Sequence, residues 1–539
     1  MTKCEQNSSV RAAEYKPLLY TTTIRNPERV KYLLYAISQF DGMILNDLLA
    51  KKIVAETIKL GLYRPLKKTN EIKRKWSSTT NGTFADEILT NKEVDYIITN
   101  NPQKHKEAGF GYGFPSRFAT MFDFAKELGF VYFQPNKPIV ISELGKRLAN
   151  VFNVKISDDG AINSEIIHPE YEQQVFLLTM AKSQRKNPFV RVLNDNVPLI
   201  LLAQTIKMLN NNPKYKTEDG MSKGISKKEL PLLIFWKDNN AKSLYNRIVK
   251  LREEYGYEPS DEVIYDICTD EILDGFKKFK VKSVINEYPD EFIRKMRITG
   301  VFSIRGAGRF LDINYNEIGK LEYVLQHYST YQLYTDERAY FDYMSTIDPN
   351  LFSIDTKQIT SKQSEKLLTD WLKIYTWESI KKELTTLKGR NNSKDMVLRF
   401  IPAPARLEFL TALSIKCKLP NVRVIPNYPC DDTGLPTSTA GGNTGDIECI
   451  ESSHAILIEV TMAEGRTQTM MEIWPIERHL TEFKEKVKMQ GQAVFVAPTI
   501  FYDSKRQIDF VKHTSNLIIR PYTIDEFISY LDMATCLYD

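Results

Sequence analysis

Asp446 and Glu459 are the residues from which the chemistry of this chain is best read. Asp446 heads the stretch Gly445-Asp446-Ile447-Glu448-Cys449-Ile450, and Glu459 closes the apolar run Ala455-Ile456-Leu457-Ile458. A buried strand of that composition excludes a charge unless the charge has a partner. The intervening Glu451-Ser452-Ser453-His454 is polar and short enough for a hairpin turn. A hairpin sets Asp446, at the start of one strand, at the same edge as Glu459, at the end of the next. Two carboxylates at one edge repel, and one is driven toward protonation unless a cation lies between them. A divalent ion meets that need, and hard oxygen ligands point to magnesium over zinc. A blander reading makes Asp446 a cap and Glu459 a surface strand end. It holds for Asp446 alone, but the flanking elements weigh against it for the set.

Those elements form a coherent unit. Residues 404–418 have helical spacing, with Leu407, Leu410 and Leu413 around Glu408. Residues 421–426 alternate as a strand through Val422 and Val424. The hairpin follows, then a helix over about 467–489 that holds Glu472, then the apolar strand 493–496. The order helix, three strands, helix, strand resembles the core of the PD-(D/E)XK nucleases, with Thr461 where the lysine of that motif is expected.

A closer resemblance is to the AlwI-type restriction endonucleases, a type IIS family that includes strand-nicking enzymes. The matching pieces are Thr21-Thr22-Thr23-Ile24-Arg25-Asn26-Pro27-Glu28-Arg29, Gly442-Asn443 with Gly445-Asp446, Glu459-Val460-Thr461, and Glu472 with Arg478-His479. The match runs from about residue 18 to the C-terminus and is strongest in the first thirty residues and over 400–500. In that family Glu-Val-Thr replaces Glu-x-Lys, so Thr461 is no departure. The resemblance implies catalytic roles for Asp446, Glu459, Glu472 and Glu408, and a magnesium ion held by Asp446, Glu459, Val460 and Glu472. It also implies acid/base work or a phosphate contact for His479. That residue lies seven positions after Glu472, two turns along one helix face, and a satisfied structural histidine is the commoner alternative.

Length and composition bound the rest. A chain of 539 residues predicts about three or four domains. Its 42% hydrophobic and 26% charged residues are those of a globular protein. With a net charge of only +5, DNA binding needs local basic patches. The six cysteines show neither zinc-ligand spacing nor a disulfide framework, which predicts a reducing, cytoplasmic setting, and the family resemblance implies a bacterial one. No apolar run is long enough to span a bilayer, so no membrane partner is expected. The first twenty residues lack the apolar stretch of a signal peptide.

Basic side chains that could meet DNA lie in the first 325 residues. Asn26-Pro27 reads as a helix cap and first turn, flanked by Arg25 and Arg29. Lys73-Arg74-Lys75 ends a basic run that begins near Tyr63, and a solvated helix face is its usual alternative. A helix near Phe118–Ala125, a hairpin over 130–141 and a following helix form a winged-helix pattern. Arg117, at the start of that first helix, is placed either to read a guanine edge or to clamp a phosphate. A second helix-then-hairpin pattern ends in the tip Arg305-Gly306-Ala307-Gly308-Arg309, suited to a phosphate backbone or to a bare surface turn.

The expected fold is therefore multidomain α+β: winged-helix-like DNA-recognition domains followed by a C-terminal α/β PD-(D/E)XK, restriction-endonuclease-like, nuclease domain. The expected divisions are a disordered lead-in over 1–18, recognition domains over 19–160 and 161–325, a helical linker over 326–395 and the nuclease over 396–539. The expected function is a type IIS site-specific endonuclease on double-stranded DNA. The N-terminal match implies the short asymmetric site GGATC, with a cut at a short offset. Expected partners are DNA, a second copy or a small nuclease subunit for the second strand, and a cognate methyltransferase. Alternatives are a strand-specific nicking enzyme, the large subunit of a heterodimer, a non-catalytic winged-helix DNA-binding protein, and a repair nuclease that reads DNA structure.

Overall fold

The computed structural model describes residues 24–536, except 77–81, 108, 191, 193, 216–222, 331, 443 and 453. The expected lead-in over 1–18, the Thr21-Thr22-Thr23 part of the N-terminal match, and Asn443 lie outside the described residues. The architecture is mixed α and β, in two compact units that interleave along the chain. One gathers the described residues through Ile53 with Gln103–Ala149 and Glu170–Lys357. The other gathers Val54–Pro102, Asn150–Pro169 and Gln358–Asp539.

The first unit is mainly helical. Pro27–Arg29 forms a single 3-10 turn ahead of the helix Val30–Ser38, and the Asn26 side chain makes no capping hydrogen bond. The expected cap is therefore one of backbone shape only. The helix Phe114–Glu127 carries a proline in its first turn, where the missing N–H leaves no intrahelical bond unmade. It leads into a minimal antiparallel pair, Val131–Tyr132 with Val140–Ile141, and then the helix Glu143–Ala149. Further on, the helix Tyr288–Arg297 precedes the hairpin Phe302–Arg305 with Phe310–Ile313, widened to three strands by Ile225–Ser226. The unit also holds a fully buried ion pair: both Glu229 carboxylate oxygens accept from the Arg252 guanidinium, at 2.7 and 2.8 Å.

The second unit is built on a five-stranded mixed sheet. Helix α1 (Ala403–Lys418) precedes β1 (Arg423–Pro426), β2 (Ile447–Glu451) and β3 (His454–Val460). Helices α2 (Gly465–Met471) and α3 (Ile473–Val487) lead to β4 (Gln490–Ala497), α4 (Tyr502–Ser515), β5 (Ile519–Thr523) and α5 (Ile524–Met533). The spatial order is β5-β4-β3-β2-β1. Strand β2 runs antiparallel to both of its neighbours, β1 and β3, whereas β4 pairs with β3, and β5 with β4, in parallel. Alternate residues Ala455 and Leu457 of β3, with Ala493 and Phe495 of β4, pack against Ile473, Ile476, Leu480 and Phe483 of α3. Ile456 and Ile458, on the other face of β3, are buried as well. A strand covered on both faces reads as a continuous apolar run, as this one does.

The single helix expected over 467–489 is two helices that break at Glu472. Pro475 supplies the cause: it has no N–H for the carbonyl four residues back, and its ring crowds that turn. The closing strand β5 contains Pro521, which is tolerated because β5 is the sheet edge.

Candidate active site

Four carboxylates meet at one end of the sheet because of register. Ile447 of β2 faces Ile458 of β3, so Asp446, one residue before, comes opposite Glu459, one residue after. The Asp446 carboxylate accepts a 2.7 Å hydrogen bond from the Val460 N–H, which ties the two strand ends together. Asn427 holds the entry to β2, donating its side-chain amide to the Gly445 carbonyl and its own N–H to that of Asp446. Gly445 has a steric role: a Cβ there would stand 2.5 Å from the Leu457 side chain and 2.9 Å from the Glu459 carboxylate.

Each of the other acids has its own donor. Glu408, on α1, accepts from the Ala440 N–H at 3.0 Å. Glu472, at the junction of α2 and α3, accepts from the Thr461 hydroxyl at 2.6 Å. Glu459 lies 2.9 Å from Nδ1 of His479, whose Nε2 lies 3.1 Å from the Gly442 carbonyl. Two oxygen acceptors on one imidazole require either an imidazolium or a protonated Glu459. Burial pushes the proton affinity of the His479 ring down and that of Glu459 well up. Both ring nitrogens are engaged, Nδ1 with Glu459 and Nε2 with the Gly442 carbonyl.

Electrostatically the four acids form one system. Burial, then the nearby Glu459 and Glu472, push Asp446 well above the usual carboxylate range. Burial, then Glu472 and Glu408, do the same to Glu459, and burial with Asp446 raises Glu408. Burial pushes Glu472 up to about 7, against the opposing pull of the Thr461 hydroxyl and His479. Among the described residues no Lys or Arg pairs with any of the four. A set of buried carboxylates without a protein cation fits a hard divalent ion in type and charge. As the side chains are turned here, each is drawn to its own donor, and among the described residues no three His, Cys, Asp or Glu side chains are grouped as ion ligands.

The basic residues expected to meet DNA fare unequally. Arg25 and Arg309 are each 61% exposed at the side chain, and Lys73 is exposed. Arg74 is exposed beside Glu87. Lys75, by contrast, is buried in a 2.8 Å pair with Glu93, because it falls one turn from the buried Ile72 on a short helix. The expectation that it faces a phosphate backbone is corrected by that placement. Arg29 is half-buried, and burial lowers its proton affinity. Arg305 turns inward to Asp312 at 2.7 Å and donates to the Ile313 carbonyl. Arg117 is half-buried and donates to the Gln103 side chain. Asn427 had no distinct signal in sequence, since its role arises only when its segment meets the start of β2, and Thr461 was marked by the Glu-Val-Thr match without its hydroxyl's partner Glu472 being foreseen.

A family model described as the AlwI restriction endonuclease matches residues 126–394 and 353–530. Among solved structures, the small subunit (R.BspD6I2) of the heterodimeric restriction endonuclease R.BspD6I is 24% identical, with 29% of this chain and 78% of that chain covered and a TM-score of 0.26. The restriction endonuclease FokI is 12% identical, with 94% of each chain covered and a TM-score of 0.24. FokI bound to DNA is 12% identical, with 93% of this chain and 94% of that chain covered and a TM-score of 0.23. No curated protein matches the chain.

Proposed function

The chain belongs to the AlwI restriction endonuclease family, and from that premise we propose that it is a type IIS site-specific endonuclease that hydrolyses a phosphodiester bond at the Asp446–Glu459 end of the sheet. The observation that carries the reading is the buried carboxylate set, whose members raise one another's proton affinity with no Lys or Arg pairing among the described residues. Asp446, Glu459, Val460 and Glu472 are the residues to hold Mg2+, which when bound supplies polarisation of the phosphoryl oxygen and acidification of its water. The chain's own groups supply orientation. His479 aims Glu459, the Val460 N–H and Asn427 fix Asp446, and Glu408 supports the cluster from α1. Glu472, with a proton affinity near neutrality, is placed to orient the attacking water or to serve as its proton acceptor.

The two helix-and-hairpin elements of the first unit are read as winged-helix modules that bind a short asymmetric duplex site, GGATC by the N-terminal resemblance. In this reading the nuclease is the C-terminal PD-(D/E)XK domain, and the cut falls a short distance outside the site. One carboxylate cluster serves the hydrolysis of one bond at a time, with water as the nucleophile. A second copy or a small nuclease subunit is then needed for the other strand, and without either the product is a nick. A cognate methyltransferase protects the host site in this scheme. No helix among the described residues is long and apolar enough to cross a membrane.

The test is a supercoiled plasmid incubated with the protein and Mg2+, with the product ends sequenced. Discrete nicks or linear product at a fixed offset from one short sequence is the expected result. No product would favour a non-catalytic DNA-binding protein, and cutting confined to branched or damaged DNA would favour a repair nuclease.

A further inference from the structure

The polar loop between the helix Trp377–Lys388 and α1 opens on Arg390. Its φ of +53° is that of the residue closing a helix in a Schellman turn: its N–H donates to the Leu387 carbonyl and that of Asn391 to the Thr386 carbonyl. That turn fixes where the Arg390 side chain leaves the helix, and the side chain has a definite destination. The guanidinium makes a 2.9 Å ion pair with Glu464 and donates to the Met462 carbonyl at 3.4 Å. The pair is largely buried, with 18% and 23% of the two side chains exposed.

Met462 and Glu464 flank Ala463, and Ala463 is the hinge of the arrangement. Its N–H donates to the Thr461 hydroxyl oxygen at 3.0 Å. With that oxygen accepting from the backbone, the hydroxyl proton is left for Glu472, which it reaches at 2.6 Å. Gln468 holds the other side of the same residue, donating to the Ala463 carbonyl. Arg390 thus grips the turn on both sides of the amide that aims Thr461. It also neutralises Glu464, a fifth acid five residues beyond Glu459.

We propose that Arg390 is a positioning residue of the nuclease, which holds the Thr461–Glu464 turn so that the Thr461 hydroxyl fixes Glu472 for catalysis. The inference rests on the proposed hydrolytic function. Arg390 acts through the turn and touches neither DNA nor the reacting atoms.

The test compares full-length wild type, Arg390→Gln, Arg390→Lys and Glu464→Gln. Plasmid nicking gives kcat and KM, terbium luminescence gives direct ion binding without turnover, and melting temperature reports the fold. Arg390→Gln is expected to lower kcat tenfold or more, with KM within twofold, and to raise the terbium concentration at half-saturation several-fold. Arg390→Lys should recover most of both losses, because it restores the charge facing Glu464. Glu464→Gln, which leaves the arginine in place, should show a milder form of the same signature and serves if Arg390→Gln fails to fold. Nicking and terbium binding within twofold of wild type in both neutral variants would overturn the proposal. So would a loss confined to KM, which would put Arg390 on the DNA, or a lowered melting temperature that Lys does not rescue. If the wild type itself cuts nothing, the hydrolytic reading fails, while the terbium comparison still decides whether Arg390 shapes the carboxylate site.

Discussion

Two buried carboxylate sites in this chain obey opposite rules. Glu229 in the first unit is 1% exposed, and its two oxygens are met by the two arms of Arg252. Its neighbour in chemical type, Glu459 in the second unit, is 7% exposed and faces a histidine and other acids. Burying a carboxylate is costly in both places. The first site offsets the cost inside the protein and thereby holds its fold. The second leaves it standing, with Asp446, Glu459, Glu408 and Glu472 held together by amides, a hydroxyl and an imidazole. Uncompensated charge of that kind is tolerated where a ligand completes it. The same contrast sorts the basic residues. Lys75 and Arg305 are held in short pairs with Glu93 and Asp312, whereas Arg25 and Arg309, in longer pairs with Glu291 and Glu258, keep most of their side chains in solvent.

Removing one partner at each kind of site sharpens the contrast. Arg252→Met strands the Glu229 carboxylate and should cost about 3–5 kcal/mol of stability, read as a lowered denaturation midpoint. The nuclease acids should behave otherwise. Glu472→Gln removes one like charge, so the fold should hold or gain slightly, while nicking falls about tenfold to a hundredfold, or roughly 1.4–2.8 kcal/mol. Thr461→Lys should not improve cutting, because a fixed cation competes for the same carboxylates and the hydroxyl that aims Glu472 is lost. If Glu472→Gln instead unfolds the protein, the cluster is architectural and the contrast collapses.

Smaller effects separate the basic residues. Arg117→Ala should relax preference at one base position by roughly 1–3 kcal/mol if its guanidinium leaves Gln103 to read a base edge. An even loss across sequences would reduce it to a phosphate clamp. Arg309→Ala should weaken binding slightly and evenly, and lower the salt dependence by about one counterion. Gel shifts on site and non-site duplexes at several salt concentrations measure both.

The sheet was legible from residue order because its buried strands are short and nearly uniform, and Glu459 is conspicuous against four apolar neighbours. The register that sets Asp446 opposite Glu459 follows from the short polar turn between them. Helix α4 was not legible: only Ser504, Ile508 and Val511 of its fourteen residues are buried, too narrow a stripe to stand out from charged sequence. The break at Glu472 was readable from Pro475, but Met470, Ile473 and Ile476 continue a helical apolar spacing across it and masked the signal. Donor assignments were beyond reach. Asn427 meets Gly445 from another strand, and Arg390 meets Glu464 across more than seventy residues. Spacing within a segment carries no information about such meetings. The same limit applies to Lys75, whose partner Glu93 lies on a different helix.

The central claim is that the carboxylate cluster is the catalytic centre and not a structural accident, and Asp446→Asn tests it most directly. The full-length variant and the wild type are compared in a supercoiled-plasmid nicking assay with Mg2+, and in binding to the same DNA with Ca2+, whose larger size and looser geometry support binding with little hydrolysis. The account predicts that cleavage falls by more than about a hundredfold, roughly 3 kcal/mol of transition-state stabilisation, with binding unchanged. Cutting near the wild-type rate by Asp446→Asn would contradict it and place the active site elsewhere in the chain.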